Sequence, residues 1–258
     1  MNTPLLQASG LTVRFGGLTA LDALDLTVYE GEILGLLGPN GSGKTTFFNV
    51  VTSLYSASEG KIMLAGEDIG PKSAQQVYRS GVTRTFQRSR LSLPLTVFDN
   101  VAIGNYQHLN LGLWFNLFQR RKFRRQYDQM VEQVHDLLET FNPGLAPKLF
   151  QSAGALAMID RRRVEICRAL LSQPRLLLLD EPSAGMTHDE TSELMDDILQ
   201  VRSRLKAFTI VIIEHEMNVI QRITERCAVL NYGRKIAEGS YAEIVADPQV
   251  QTAYLGQE

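Results

Sequence analysis

GPNGSGKT at residues 38–45 is the stretch that decides the fold of this chain. It matches the pattern Gly-x-x-x-x-Gly-Lys-[Ser/Thr], which marks a phosphate-binding loop when a strand precedes it and a helix follows it. The apolar residues 33–37 before the loop predict a buried strand, and residues 46–51 after it predict the helix. We therefore expect this loop to bind the phosphates of a nucleoside triphosphate.

Each residue type in the loop has a physical reason to be there. Glycines lack a Cβ, so backbone N–H groups can converge on phosphate oxygens and the chain can adopt a positive φ. The helix that follows adds unpaired N–H groups and the positive end of its dipole. Lys44 supplies a point charge for the outer phosphates, and the Thr45 hydroxyl completes a Mg²⁺ shell. The expected nucleotide-binding residues are Gly38, Pro39, Asn40, Gly41, Ser42, Gly43, Lys44, Thr45 and Thr46.

Length and composition exclude several classes of protein. The 258 residues suffice for one large domain, or for one domain with a sizeable insertion. Basic residues number 26 and acidic residues 28, and the net charge of -2 gives no general attraction to nucleic acid. No apolar run approaches the roughly 18 residues of a membrane helix, and the first residues lack the pattern of a secretory signal. Because two cysteines are too few for a disulfide framework, we expect a reducing cytoplasm.

Candidate catalytic residues follow two further buried strands. Asp180 and Glu181 come after the tetra-leucine run at 176–179, and His215 follows the apolar run at 211–213. Ligands bind at the carboxyl ends of strands in open parallel sheets. At such an edge Asp180 would hold Mg²⁺ through water while Glu181 polarises an attacking water. A lone histidine usually has no such role, but its position after a parallel strand makes His215 a predicted phosphate contact.

The order of these patterns predicts an α/β fold, with a P-loop core, an antiparallel β subdomain and a helical insertion. Residues 126–141 carry apolar side chains at i, i+3, i+4 and i+7, which indicates an amphipathic helix. We expect the nucleotide-binding core over residues 1–87 and 161–258, and the helical subdomain over residues 88–160. Gln87 would reach the metal from the start of the insertion, whereas read alone it would be a surface residue.

These residues, in this order, resemble the ATP-binding cassette (ABC) ATPases over nearly the whole chain. GPNGSGKT is similar to the Walker A motif, and LLLLDEP at 176–182 is similar to the Walker B strand with its catalytic glutamate, Glu181. The resemblance assigns Gln87 to the Q-loop glutamine and His215 to the switch histidine. Phe15 takes the place of the aromatic residue that stacks on adenine, with an exposed strand aromatic as the alternative. The implied cofactors are ATP and Mg²⁺, with Thr45, Gln87 and Asp180 around the metal.

Six shorter segments of the sequence are similar to those of the ATPase subunits of branched-chain amino-acid importers and their urea and short-amide relatives. RTFQ and AYLG are the more specific of the matching segments, which are FGGLTALDALDLTV at 15–28, RTFQ at 84–87, LTVFDNVAIG at 95–104, EPSAG at 181–185, EHEMNVI at 214–220 and AYLG at 253–256. The resemblance implies an ATP-hydrolysing motor, peripheral to the cytoplasmic face of the inner membrane. Its implied partners are a second, non-identical ATPase subunit (or a second copy of the chain), two permease subunits and, indirectly, an extracytoplasmic solute-binding protein.

The signature segment departs from the family pattern. ABC ATPases carry a sequence near Leu-Ser-Gly-Gly-Gln ahead of an Arg-rich helix, and aligning residues 162–170 with that helix puts residues 156–161 on the signature. The serine that would contact the γ-phosphate becomes Ala157. A glycine that lets the backbone approach the phosphate becomes Ile159, whose β-branch adds bulk and disfavours positive φ. The alternatives are an alignment displaced onto residues 152–155, or a helix N-terminus that contacts the phosphate without those side chains.

The aspartate of the D-loop is also absent. Thr187 takes its position, three residues before Glu190. This spacing predicts a capping box at the start of a helix.

Two other functions are compatible with an ABC ATPase. A soluble ABC ATPase acting on nucleic acid or the ribosome usually has paired cassettes in one chain, long coiled coils or a basic surface, and the sequence shows none of these. A lipopolysaccharide-export ATPase fits the run RRRVEI at 161–166, whereas RTFQ and EPSAG favour the importer. We expect no nucleic-acid partner.

Overall fold

The chain forms two compact units, each of which buries its own apolar side chains. The first unit holds residues 1–84, 175–182 and 207–258, and the second holds residues 85–174 and 183–206. The computed structural model describes residues 3–87, 89–108, 112, 118–205 and 208–255.

An antiparallel sheet lies near the N-terminus of the first unit. Its strands are β1 Pro4–Phe15, β2 Leu18–Tyr29, β4 Glu59–Leu64 and β5 Glu67–Asp68, in the order β2-β1-β4-β5. Apolar side chains such as Leu11 and Val13 pack in one core with Phe47 and Phe48 of the helix that follows the glycine loop. The antiparallel sheet therefore supports the loop region from one side.

A six-stranded sheet forms the centre of the first unit. Its strands are β3 Ile33–Leu37, β6 Val82–Arg84, β7 Leu176–Asp180, β8 Thr209–Ile213, β9 Arg226–Asn231 and β10 Arg234–Gly239. Their order is β10-β9-β3-β8-β7-β6, with β10 antiparallel to β9 and the other neighbours parallel. Strands β3, β7 and β8 are buried along their whole length, as expected for apolar runs covered on both faces.

Sequence signals explain where several helices of this unit begin. The helices are α1 Lys44–Val51, α2 Ala74–Arg79, α7 Met217–Ile223, α8 Tyr241–Ala246 and α9 Pro248–Leu255. Ser240 and Glu243 form a capping box at the start of α8. The Asp247 carboxylate accepts the backbone N–H of Gln249 at 2.7 Å and so caps α9.

The second unit is helical. Its helices are α3 Val97–Ala102, α4 Arg120–Phe141, α5 Met158–Leu170 and α6 His188–Arg204, with 3₁₀ turns at Ile103–His108, Ala146–Lys148 and Ala153–Ala155. The predicted apolar stripe of α4 is buried at Met130, Val134, Leu137, Leu138 and Phe141. Among the described residues, no helix is both long enough and apolar enough to cross a membrane.

The predicted fold class is confirmed, but the compact units and the predicted domains divide the chain differently. The sequence placed residues 161–174 and 183–206 in the ATP-binding core, whereas the structure groups them with the helical segment. Arg163 supplies a physical reason, because its buried guanidinium donates to Asp160 of α5 at 2.9 Å and to Asp197 of α6 at 2.7 Å. The domain boundaries themselves stay a prediction.

Candidate nucleotide-binding site

Three parallel strands bring the main predicted site residues to one edge of the six-stranded sheet. β3, β8 and β7 are consecutive neighbours, and the register pairs Asp180 of β7 with Ile213 of β8. Their carboxyl ends lead into the glycine loop, into His215 and into Asp180 and Glu181. Ligands bind at this edge in open α/β sheets. The structure therefore gathers the loop, both acidic residues and the histidine in one place.

Two glycines of the loop adopt backbone conformations that other residues would strain. Gly38 has a φ of 139° and Gly43 a φ of 107°. A Cβ on Gly38 would lie 2.1 Å from the Leu230 carbonyl oxygen, and one on Gly43 would lie 2.7 Å from the Ala20 carbonyl oxygen. Close packing against neighbouring backbone therefore requires glycine at both positions.

The Lys44 ammonium is buried and turned onto the loop. Its Nζ donates to the carbonyl oxygens of Gly38 at 2.6 Å and of Pro39 at 2.9 Å. Burial lowers the pKa of Lys44, while the negative charges of Glu181 and Asp180 act in the opposite direction. A phosphate would give this partly desolvated cation a charged hydrogen-bond partner, which binds more strongly than a neutral carbonyl.

Ser42 carries an unused hydroxyl inside the loop. Its Oγ is buried and forms no hydrogen bond within the described part of the chain. A buried hydroxyl left unpaired costs about 1–3 kcal/mol, which a phosphate oxygen in the loop would offset. Thr45 at the second position of α1 is exposed, so its hydroxyl is open to a ligand.

Asp180 is held in a buried cluster that joins three elements. Its Oδ2 accepts a hydrogen bond from Arg84 Nη2 at 2.6 Å, and both side chains are 5 % exposed. The same guanidinium donates from Nη1 to Asn49 Oδ1 at 2.6 Å and lies 5.3 Å from the centre of the Phe48 ring. Because Arg84 belongs to β6 and Asn49 to α1, the cluster fixes the β7 carboxylate relative to the helix that follows the loop. Sequence reasoning did not identify Arg84, although it begins the specific segment RTFQ.

Glu181 and His215 contact each other directly. His215 Nε2 lies 3.0 Å from Glu181 Oε1, the glutamate side chain being 18 % exposed and the imidazole 46 %. Glu181 has a φ of 47°, a strained value for a residue other than glycine. Its backbone N–H donates to the Ile213 carbonyl oxygen at 2.9 Å, which holds it in place. A partly exposed carboxylate fixed in this way suits a general base that acts on water.

Two further predicted residues, Gln87 and Phe15, belong to other segments of the chain. Gln87 belongs to the second unit, where its side chain is exposed and its carbonyl oxygen accepts a hydrogen bond from Arg162 Nη2 at 3.3 Å. Phe15, in the first unit, is 45 % exposed and forms an edge-to-face pair with Tyr55, the ring centres being 5.1 Å apart. Sequence reasoning missed Tyr55. The metal role of Gln87 and the adenine role of Phe15 stay predictions.

The residues at the predicted signature begin helix α5. Ala157 occupies the N-cap with extended backbone, where its methyl group can accept no hydrogen bond from the first turn. Met158 is 49 % exposed, whereas Ile159 is 7 % exposed. Successive helical residues point about 100° apart. The branched side chain of Ile159 is therefore buried, and the large side chain that α5 exposes at this point is that of Met158.

Hydroxyls near the signature and the D-loop position already have local partners. Ser152, the serine of the displaced alignment, donates to the Leu93 carbonyl oxygen at 2.7 Å and accepts the Gly154 N–H at 3.3 Å. The predicted capping box of Thr187 and Glu190 is confirmed at the start of α6. The contacts of Ser152 favour the alignment that places Ala157 at the signature serine.

Replacing Ala157 by Ser is expected to stabilise the protein. A serine at the N-cap accepts a hydrogen bond from an N–H of the first turn, a contribution of about 0.5–2 kcal/mol. Each kcal/mol corresponds to a rise in Tm of roughly 2–4 °C for a chain of this size, measured by calorimetry. Ala155→Ser, at an exposed position before α5, is the control that should leave Tm unchanged. An unchanged Tm for Ala157→Ser would show that the added hydroxyl does not cap the helix.

The glycine loop, the neighbouring parallel strands and the acidic pair together define a P-loop ATPase cassette. A family model described as "ABC transporter" matches residues 21–184. A second model, described as "Branched-chain amino acid ATP-binding cassette transporter", matches residues 234–258.

Curated relatives and a solved structure agree with this class over the whole chain. The high-affinity branched-chain amino acid transport ATP-binding protein LivG of Escherichia coli (strain K12) is 40 % identical over 257 residues, covering 100 % of both chains. The corresponding protein BraF of Pseudomonas aeruginosa is 39 % identical over 257 residues, again covering 100 % of both. The crystal structure of an ABC transporter cassette in its ADP conformation has a TM-score of 0.84 at 29 % identity, covering 99 % of this chain and 100 % of that one. The chain belongs to the ATP-binding subunits of the branched-chain amino acid ABC transporter family, and it is an ATPase.

Proposed function

We propose that this chain is the motor subunit of a multi-chain ABC importer that transports branched-chain amino acids. The proposal rests on the sequence similarity to LivG and BraF over the full length. The match of the C-terminal residues 234–258 to the branched-chain amino acid cassette model supports it. The names of these relatives favour branched-chain amino acids over urea and amides. They also favour import over lipopolysaccharide export and over action on nucleic acid or the ribosome.

The loop at residues 38–46 binds ATP in this proposal. Lys44 leaves the carbonyl groups that it now contacts and binds the outer phosphates, and the orphaned Ser42 hydroxyl donates to a phosphate oxygen. The N-terminus of α1 adds its N–H groups to the same phosphates. Phe15 stacks on adenine, and Tyr55 braces its ring.

The oxygen donors beside the loop suit Mg²⁺. Thr45 presents an exposed hydroxyl on α1, and Asp180 presents a carboxylate fixed by Arg84. Gln87, of the second unit, is a third ligand that the family resemblance implies. Mg²⁺ prefers such hard oxygen ligands and keeps several waters in its shell. When bound, it neutralises charge on the phosphate oxygens.

Glu181 and His215 perform the hydrolytic step in this proposal. Glu181 accepts the proton of the attacking water as it approaches the γ-phosphate. His215, already 3.0 Å from the Glu181 carboxylate, orients that carboxylate and contacts the phosphate. The neighbouring strands β7 and β8 fix the distance between the two residues.

The proposed assembly contains chains of other kinds. It consists of this chain at the cytoplasmic face of the inner membrane, a second and non-identical ATPase, two permease subunits and an extracytoplasmic solute-binding protein. In the family that this chain resembles, each ATP is sandwiched between the loop of one subunit and the signature of the other. Ala157 offers the opposite nucleotide no hydroxyl, and a lost hydrogen bond to a charged group costs about 1.5–3 kcal/mol. A homodimer would lack this hydrogen bond at both of its nucleotide sites. This favours a partner subunit with an intact signature.

Affinity purification in detergent from the native host tests this assembly. A tagged copy of the chain should bring down two permease subunits and one non-identical ATPase, identified by mass spectrometry against an untagged control. Recovery of ribosomal proteins, or of components of a lipid-transport bridge, would contradict the proposal. Recovery of the tagged chain as the sole ATPase with the permeases would contradict the heterodimer.

A further inference from the structure

The last described helix reaches the glycine loop through one side chain. The Tyr254 hydroxyl of α9 accepts a hydrogen bond from the backbone N–H of Gly38 at 2.9 Å. Gly38 follows the last residue of β3 and is the first residue of the loop, 216 positions earlier in the chain. Tyr254 also lies in the segment AYLG, to which the ATP-binding site described above gives no role.

Gly38 is a position where the loop needs a fixed conformation. It is buried, and its φ of 139° brings its α-carbon close against the Leu230 carbonyl oxygen. Its carbonyl oxygen accepts from Lys44 Nζ. A buried N–H left without a partner costs free energy comparable to a lost hydrogen bond. The phenol therefore satisfies the first N–H of the loop.

Tyr254 is itself well placed to hold that N–H. Burial raises the pKa of its phenol, while the hydrogen bond from Gly38 acts in the opposite direction. The phenol is thus neutral at physiological pH. Helix α9 is anchored by the buried Val250 and by Gln251, whose Nε2 donates to the Val245 carbonyl oxygen at 2.9 Å.

We propose that Tyr254 is a positioning residue for the phosphate-binding loop. Its hydroxyl holds the Gly38 N–H, so that the loop has its binding conformation before the nucleotide arrives. The tyrosine acts through Gly38 and touches no reacting atom, so its loss affects nucleotide affinity rather than the chemical step. This gives the C-terminal residues matched by the branched-chain amino acid cassette model a role in ATP binding. The proposal rests on the loop being the ATP site.

The substitution Tyr254→Phe tests it, because it removes one oxygen and keeps the ring. The dissociation constant for MgATP, measured by calorimetry, should rise about three- to tenfold, as expected for one neutral hydrogen bond. The turnover number at saturating ATP should stay unchanged. Hydrogen exchange at the Gly38 amide, in the nucleotide-free protein, should accelerate by a similar factor.

Tyr241→Phe is the matched control, since Tyr241 begins the neighbouring helix α8 and its hydroxyl forms no hydrogen bond with the loop among the described residues. It should change neither MgATP affinity nor exchange at Gly38. Equal affinity in Tyr254→Phe and the wild-type protein, with unchanged exchange at Gly38, would overturn the positioning role. The same weakening in both variants would also overturn it. Failure of the wild-type protein to bind MgATP would instead refute the ATP site itself.

Discussion

The substitution Glu181→Gln removes most ATP turnover and leaves ATP binding intact. Glutamine keeps the size of the side chain and a hydrogen-bonding oxygen near His215, but it cannot accept a proton from water. General base catalysis contributes about 10²–10⁴-fold, so phosphate release should fall by that factor. Lys44 and Ser42, the proposed phosphate ligands, lie on the loop and are unchanged, so the dissociation constant for MgATP should stay within a factor of about two.

Glu139→Gln is the control for the loss of a carboxylate. Glu139 is exposed on α4 in the second unit, and its substitution should alter neither turnover nor affinity. If Glu181→Gln lowered nucleotide affinity as much as turnover, Glu181 would be a binding residue and another group would activate the water.

The substitution Arg84→Met should strongly lower the free energy of unfolding. It removes the guanidinium that binds Asp180 in a site where both side chains are 5 % exposed. Breaking a buried ion pair from one side costs about 3–5 kcal/mol, because the remaining charge stays desolvated. The free energy of unfolding, from urea titration, should fall by this amount. Arg84→Lys should lower the free energy of unfolding by less, because an ammonium keeps the positive charge. It should still be less stable than the wild-type protein, because an ammonium cannot bridge Asp180 and Asn49 together.

Arg175→Met supplies the comparison for an exposed ion pair. Arg175 donates to Glu30 at 3.1 Å with both side chains about half exposed, and such pairs contribute about 0–1 kcal/mol. A loss in Arg84→Met no larger than that in Arg175→Met would show that the buried cluster does not hold Asp180.

The parts of the fold predicted from sequence are those with strong local patterns. The glycine loop, the wholly apolar runs of β3 and β7, and the capping box at Thr187 each carry their own signal. The placement of Glu181 and His215 at one sheet edge followed from parallel strands alone. Their 3.0 Å contact did not, because it depends on β7 and β8 being neighbours.

The missed features depend on residues far apart in sequence. β6 is three residues long, too short for a periodic pattern, so the pairing of Arg84 with Asp180 96 positions later had no local signal. Tyr254 and Gly38 are separated still further. The exposure of Met158 instead of Ile159 depends on where α5 begins, and helix ends are the least certain part of a prediction from sequence.

The most direct test of the central claim is ATP-driven uptake by the purified complex. Proteoliposomes with MgATP at the side of this subunit, and with the solute-binding protein and radiolabelled leucine at the other, would be assayed for accumulated label and released phosphate together. We expect leucine to accumulate with ATP hydrolysis, and Glu181→Gln to stop both. Hydrolysis with no accumulation of leucine, or undiminished uptake with Glu181→Gln, would contradict it.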